Sequence, residues 1–108
     1  MQPDFNQLMR QAQKAQQALE RLQGELALAE VEGSSGGGAV QVTCTGTFDF
    51  KRVKIKPEAV DPADVETLED LVLMAVRDAL EKAKQMGQDR ASQSMGGIQL
   101  PPGLGMGF

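Results

Sequence analysis

The sequence offers little that could do covalent chemistry. Among 108 residues there is no histidine and one cysteine, Cys44. Without an imidazole to take its proton, Cys44 reads as a small buried apolar side chain rather than a nucleophile. Zinc sites need clustered Cys and His, which the chain lacks. Asp61, Asp64, Glu66, Glu69 and Asp70 lack the spacing and central glycine of a calcium loop. Acids at a helix start have a simpler reason in the helix dipole. Gly36–Gly38 precedes a strand pattern and no Gly-Lys-Ser/Thr, so it reads as a turn rather than a phosphate loop. The expectation is therefore a non-catalytic protein with no cofactor, no metal and no small-molecule substrate.

What remains is charge. The chain carries 11 basic and 15 acidic residues, a net charge of −4, and a pI of about 4.7. That balance argues against indiscriminate nucleic-acid binding by the whole surface. The charge is unevenly placed, however. Residues 39–57 hold four bases and one acid, and residues 58–81 hold one base and eight acids. Three basic groupings could meet an anionic partner. Arg10, Lys14 and Arg21 share one stripe of a helix. Arg52, Lys54 and Lys56 repeat every roughly 6.6 Å along a strand, although lysines also guard sheet edges. Lys84 and Arg90 have no i,i+4 acid, whereas Arg77–Glu81 and Asp78–Lys82 are spaced as ordinary helix pairs. No aromatic residue is interleaved with these bases, which disfavours stacking on single strands.

Positioning these bases requires two helices and a small sheet. Phe5, Leu8, Ala12, Ala15, Leu19, Leu22, Leu26 and Ala29 follow steps of three and four, a coiled-coil seam opposite the Arg10 stripe. A helix of about 25 residues is roughly 37 Å long, too long for this domain to cover, so part of it should project or lie along a partner. Its end is placed near Ala27, with a strand over about Leu28–Ser34 and a hairpin turn at Ser35–Gly38. A second strand, Ala39–Thr45, turns Val40, Val42 and Cys44 one way. A third runs over about Phe48–Lys56. A bulge near Asp49–Lys51 would bring both Phe residues onto one face with Val53 and Ile55, leaving Arg52, Lys54 and Lys56 on the other. Asp61-Pro62 then predicts a helix start, with the helix running to about Ser92.

Within that helix, Leu71–Val76 is apolar on every side. A three-stranded sheet covers one side only, so a second subunit is expected, with Leu68, Leu71, Val72, Met74 and Ala75 at the interface. The expected organisation is one α+β dimerising domain over residues 1–92 and a Gly/Pro/Met-rich tail over 93–108. Two readings of the tail stand open: unstructured chain, or a clip docking Ile98, Leu100 and Phe108 in a groove. No apolar run approaches the roughly 20 residues of a membrane span. The N-terminus lacks a signal peptide's apolar core, and reducing cytoplasm is the expected compartment.

LMRQAQ at Leu8–Gln13, GSSGGGAVQVTCTG at Gly33–Gly46, VKIKPEAV at Val53–Val60, LEDLV at Leu68–Val72 and GIQLPPGLGMGF at Gly97–Phe108 together resemble the YbaB/EbfC family of bacterial nucleoid-associated proteins. The resemblance implies an α-β-β-β-α protomer with a small antiparallel sheet. It implies a tweezer-shaped homodimer whose long first helices project as arms. It also implies binding of double-stranded DNA with relaxed sequence preference, and a role in organising the nucleoid and influencing gene expression. The positions that match the family's binding surface are Arg10, Lys14 and Arg21, with Lys82, Lys84 and Arg90; Arg52, Lys54 and Lys56 are a secondary contact. The arm carries few lysines, so weak, salt-dependent binding is expected. A protein-interaction scaffold, with DNA contact incidental, is the alternative.

Overall fold

Asp4 starts the first helix. Its side chain accepts the Asn6 N–H at 3.1 Å, capping α1, Phe5–Leu28. The computed structural model describes residues 4–94, so the expected clip at Ile98, Leu100 and Phe108 lies outside the described residues. Gly24 does not break α1, which runs through Leu28 before Ala29 turns extended. The first strand, β1, is accordingly Glu30–Ser35 rather than Leu28–Ser34.

Gly36, Gly37 and Gly38 all take positive φ in the hairpin turn, a conformation that costs glycine nothing sterically. β2 (Val40–Thr45) and β3 (Phe50–Ile55) complete an antiparallel sheet of order β1-β2-β3. Thr43 pairs with Arg52 and Cys44 with Phe50, so Lys51 is the extra residue of a bulge. The bulge puts Phe50 on the face of Val53 and Ile55, as the sequence required. Phe48 does not join them. It sits in the preceding turn at φ +66°, where the Thr45 hydroxyl accepts the N–H groups of Thr47 and Asp49.

A short 3-10 turn, Pro57–Ala59, follows β3. The second helix, α2, is Val65–Ser94 and starts three residues later than Asp61-Pro62 suggested. The Asp61 carboxylate closes a tight turn on the Ala63 N–H. Asp64 instead receives both the N–H and the hydroxyl of Thr67. The two acids act in series, and the second is the cap.

α2 lies across β1 and β2. Val40, Val42 and Cys44 meet Ala75, Ala79 and Ala83, and all six are fully buried. The contact is unusually close because β1 presents Gly33. A Cβ there would lie 2.3 Å from the Ala79 nitrogen and 2.4 Å from the Ala75 oxygen. Burial pushes the Cys44 thiol up from its ordinary pKa, in keeping with a packing role. Leu22 and Leu26 are the buried residues of α1, and the Gly46 N–H ties the turn after β2 to the Leu26 and Ala29 carbonyls. From Phe5 to Lys14 every residue of α1 is exposed. That half of the helix is an arm, and the described chain measures 76 × 28 × 17 Å.

Gly33→Ala must push α2 off the sheet. Chemical unfolding should show a loss of about 2–3 kcal/mol. Gly24→Ala is the control. Nothing lies within 4 Å of a Cβ at Gly24, and stability there should rise by about 0.5–1 kcal/mol.

Candidate nucleic-acid interface

The bases of the arm differ from those of the body. Arg10, Lys14 and Arg21 are exposed on α1, and none forms an ion pair among the described residues. Arg10 and Lys14 wall a shallow groove with Asp4, Gln7 and Gln11. Arg10 to Arg21 spans about 16 Å of helix, somewhat more than the roughly 12 Å width of a DNA major groove. The arm's apolar residues face away from this stripe.

On the body, four of the eight bases form ion pairs among the described residues. Arg52 reaches Glu30 at 2.8 Å, and Lys51 reaches Asp49 at 2.8 Å. Lys54 and Lys56 form no ion pair among the described residues. Lys84, expected without a partner, lies 3.9 Å from Glu81, an i,i+3 neighbour that the i,i+4 count does not include. The Arg77–Glu81 pair is not among the salt bridges formed, whereas Asp78–Lys82 is, at 3.2 Å. Arg90 borders a mixed-charge groove between α1 and α2, beside Glu25 and Asp89.

Lys82 and Asp78 have a further task that i,i+4 spacing does not reveal. The Ser34 N–H donates to Asp78 Oδ2 at 2.9 Å, and Lys82 Nζ donates to the Glu32 carbonyl at 3.0 Å. Alternate residues of an edge strand turn these groups outward, and here a helix plugs them with an ion pair. The edge of β1 is thereby closed to another strand.

The residues expected at a subunit interface divide. Ala75 is enclosed within one chain, over Gly33. Leu71 packs beside Gly36, and its carbonyl accepts the Ser35 hydroxyl. Leu68 and Val72 are half-buried against the same core. Met74 stays exposed, as does its neighbour Leu73. The core-facing side of β3, where Val53 and Ile55 are expected to be buried, is instead left open. Phe50 is 41% exposed, Val53 53% and Ile55 37%, because α2 covers the two other strands.

The model of the YbaB/EbfC DNA-binding family matches residues 1–98. The chain belongs to that family. A protein named "Nucleoid-associated protein" from Acetivibrio thermocellus is 52% identical over 101 residues, covering 94% of this chain and 89% of its own. Another of that name, from Saccharopolyspora erythraea, is 48% identical over 109 residues, covering 93% and 94%. The crystal structure of an uncharacterized Helicobacter pylori protein, HP0035, superposes with a TM-score of 0.75 at 19% identity, covering 87% of this chain and 99% of that one. It shares the fold. Membership of the YbaB/EbfC family makes DNA the partner class against which these bases are to be judged.

The edge plug has a pH signature. The Ser34 N–H and then Lys82 hold the Asp78 carboxyl below its ordinary pKa. A carboxylate depressed in the folded state adds stability above its unfolded pKa and loses it as pH falls through the folded value. Between about pH 7 and about pH 3, the parent's urea midpoint should therefore fall further than that of Asp78→Ala. Equal falls would show that the plug contributes nothing.

Proposed function

We propose that this protein is a homodimer that binds duplex DNA through backbone charge and shape, with relaxed sequence preference. In this reading it acts in the nucleoid, within the cytoplasm, to organise DNA and influence gene expression. The observation that carries the proposal is the contrast just described. Arg10 and Lys14 on the projecting arm, and Arg21 at its base, are exposed and form no ion pair among the described residues, while Lys51, Arg52, Lys82 and Lys84 of the body do. Bases that give up no ion pair are the ones whose charge a phosphate can use at least cost. Arg90, Lys54 and Lys56 are supplementary contacts, and Lys82 serves the fold first.

Homodimerisation is supported by the uncovered part of the core. Phe50, Val53 and Ile55 extend the buried face of Val40, Val42 and Cys44 into open space. β3 also turns the backbone groups of Val53 and Ile55 outward, since Lys54 and Lys56 face β2. A second copy placed here covers both features and fixes two arms at a set separation.

Two experiments test the reading. Reversing Arg10, Lys14 and Arg21 to Glu should weaken duplex binding at least about 100-fold while oligomer size is unchanged. In the parent, log affinity against log salt should have a slope of about −5 if both arms use all three bases. Unaltered binding by the triple variant, or a flat slope, removes the arm from the mechanism. Val53→Asp should halve the particle mass by light scattering without unfolding the protomer, because Val53 is exposed in one chain. A variant of full mass would place the dimer contact elsewhere.

A further inference from the structure

The arm has a second face that the proposed function does not use. Phe5 is 69% exposed, Leu8 57%, Met9 45% and Leu19 50%, with exposed Ala12 between them. These residues form one stripe on the side of α1 opposite Arg10, Lys14 and Arg21. α2 covers the adjoining face, where Ala15 and Ala18 are half-buried and Leu22 and Leu26 buried. The seam is thus continuous with a contact already made, and its outer half has no neighbour among the described residues.

We propose that the bare seam docks on the same seam of another dimer, antiparallel, so that two arms pair and their basic stripes face outward toward two different duplexes. The proposal rests on the DNA-binding reading for its consequence, and on the seam alone for its contact. The seam is complementary to its own reverse. Centred on Ala12, an antiparallel pair sets Phe5 of each arm beside Leu19 of the other and places the small Ala12 residues together at the axis. Bulk meets bulk at the ends, and the backbones approach at the middle. Along the paired length the positions beside the seam are Met9, Gln11, Gln16 and Ala18, all uncharged, with Asp4 at the free end and Glu25 in the body. The middle of the contact therefore meets no like-charge repulsion and offers an acidic or basic protein partner nothing to pair with. The charged residues Arg10, Lys14 and Arg21 lie outside the contact and keep their access to phosphate.

The chain provides its own probe. Its single cysteine, Cys44, is fully buried, so an added thiol reports alone. Under mild oxidation Ala12→Cys should crosslink to itself. Phe5→Cys should crosslink to Leu19→Cys in a mixture and not to itself. The crosslinked Ala12→Cys particle should have the native mass of four chains. Leu8→Gln with Leu19→Gln removes the apolar contact, keeps the charge and spares the buried anchors Leu22 and Leu26. This variant should bind one duplex within about twofold of the parent, yet carry a second, labelled duplex onto bead-bound DNA at least about tenfold less well. Absence of the Ala12→Cys crosslink overturns the proposal. So does a crosslinked particle of two chains, which would place both arms in one dimer, and so does undiminished bridging by the double variant. If the parent retains no duplex at all while four-chain crosslinks form, the DNA reading fails and the seam contact stands.

Discussion

The close seating of α2 on β1 is the contact on which the rest of the structure depends. Gly33 removes a side chain where the helix backbone arrives, and Ala75, Ala79 and Ala83 keep the helix side of the contact equally thin. With no bulk between them, the remaining hydrogen bonds come into range. The Ser35 hydroxyl meets the Leu71 carbonyl, the Cys44 thiol points at the Ala79 carbonyl, and Asp78 and Lys82 reach the backbone of β1. A larger residue at Gly33 would strain more than one van der Waals contact, because each of these depends on the same separation. The seating also decides what is left over. A helix drawn tightly onto β1 and β2 cannot cover β3, so the apolar face of β3 stays open.

Much of this was legible in the sequence. The seam of α1, the glycine turn, the inward parity of Val40, Val42 and Cys44, and a bulge before Arg52 all follow from local periodicity, and the structure has them. The misses have two causes, one local and one long-range. Asp61 and Asp64 both look like caps, and only the presence of Thr67 at the right offset decides between them. Phe48 fits the strand's alternation but falls in a turn closed by Thr45. The division of Leu68–Ala75 between one chain's core and its free surface depends on which helix face meets the sheet. So does the double bond of Asp78 and Lys82 to β1. These are contacts between residues 36 to 50 positions apart, and nothing in a local window encodes them. The candidate site was legible as residue types on a stripe. That Arg10, Lys14 and Arg21 form no ion pair among the described residues, while four of the body's bases do, required the fold.

The arm itself is a compromise between exposure and order. A helical segment of ten residues is not stable alone in water. Here it continues a helix whose other half is anchored by Leu22 and Leu26, and its free end is capped by Asp4. The costly nucleation is met in the body, and the arm only propagates it. That lets the chain hold Arg10 and Lys14 outside the globule without surrounding them with acids. The same construction leaves Phe5 and Leu8 in solvent, a cost that a pairing of arms would remove.

An acidic protein in a DNA-binding family is not a contradiction once the charges are placed. Eight of the fifteen acids fall in residues 58–81, before and along the first part of α2. The end of α1 packs near Met86, and the arm extends from there away from the start of α2. α2 alone is about 45 Å long, several times the roughly 8 Å over which charge is screened at physiological salt. A phosphate at the arm is therefore influenced by Arg10, Lys14 and Arg21 and hardly at all by the acidic block. The net charge governs solubility and long-range encounter, and under the proposed function it would favour weak, salt-sensitive association over tight nonspecific coating. The distribution of charge along the fold, rather than its sum, determines where an anion can approach.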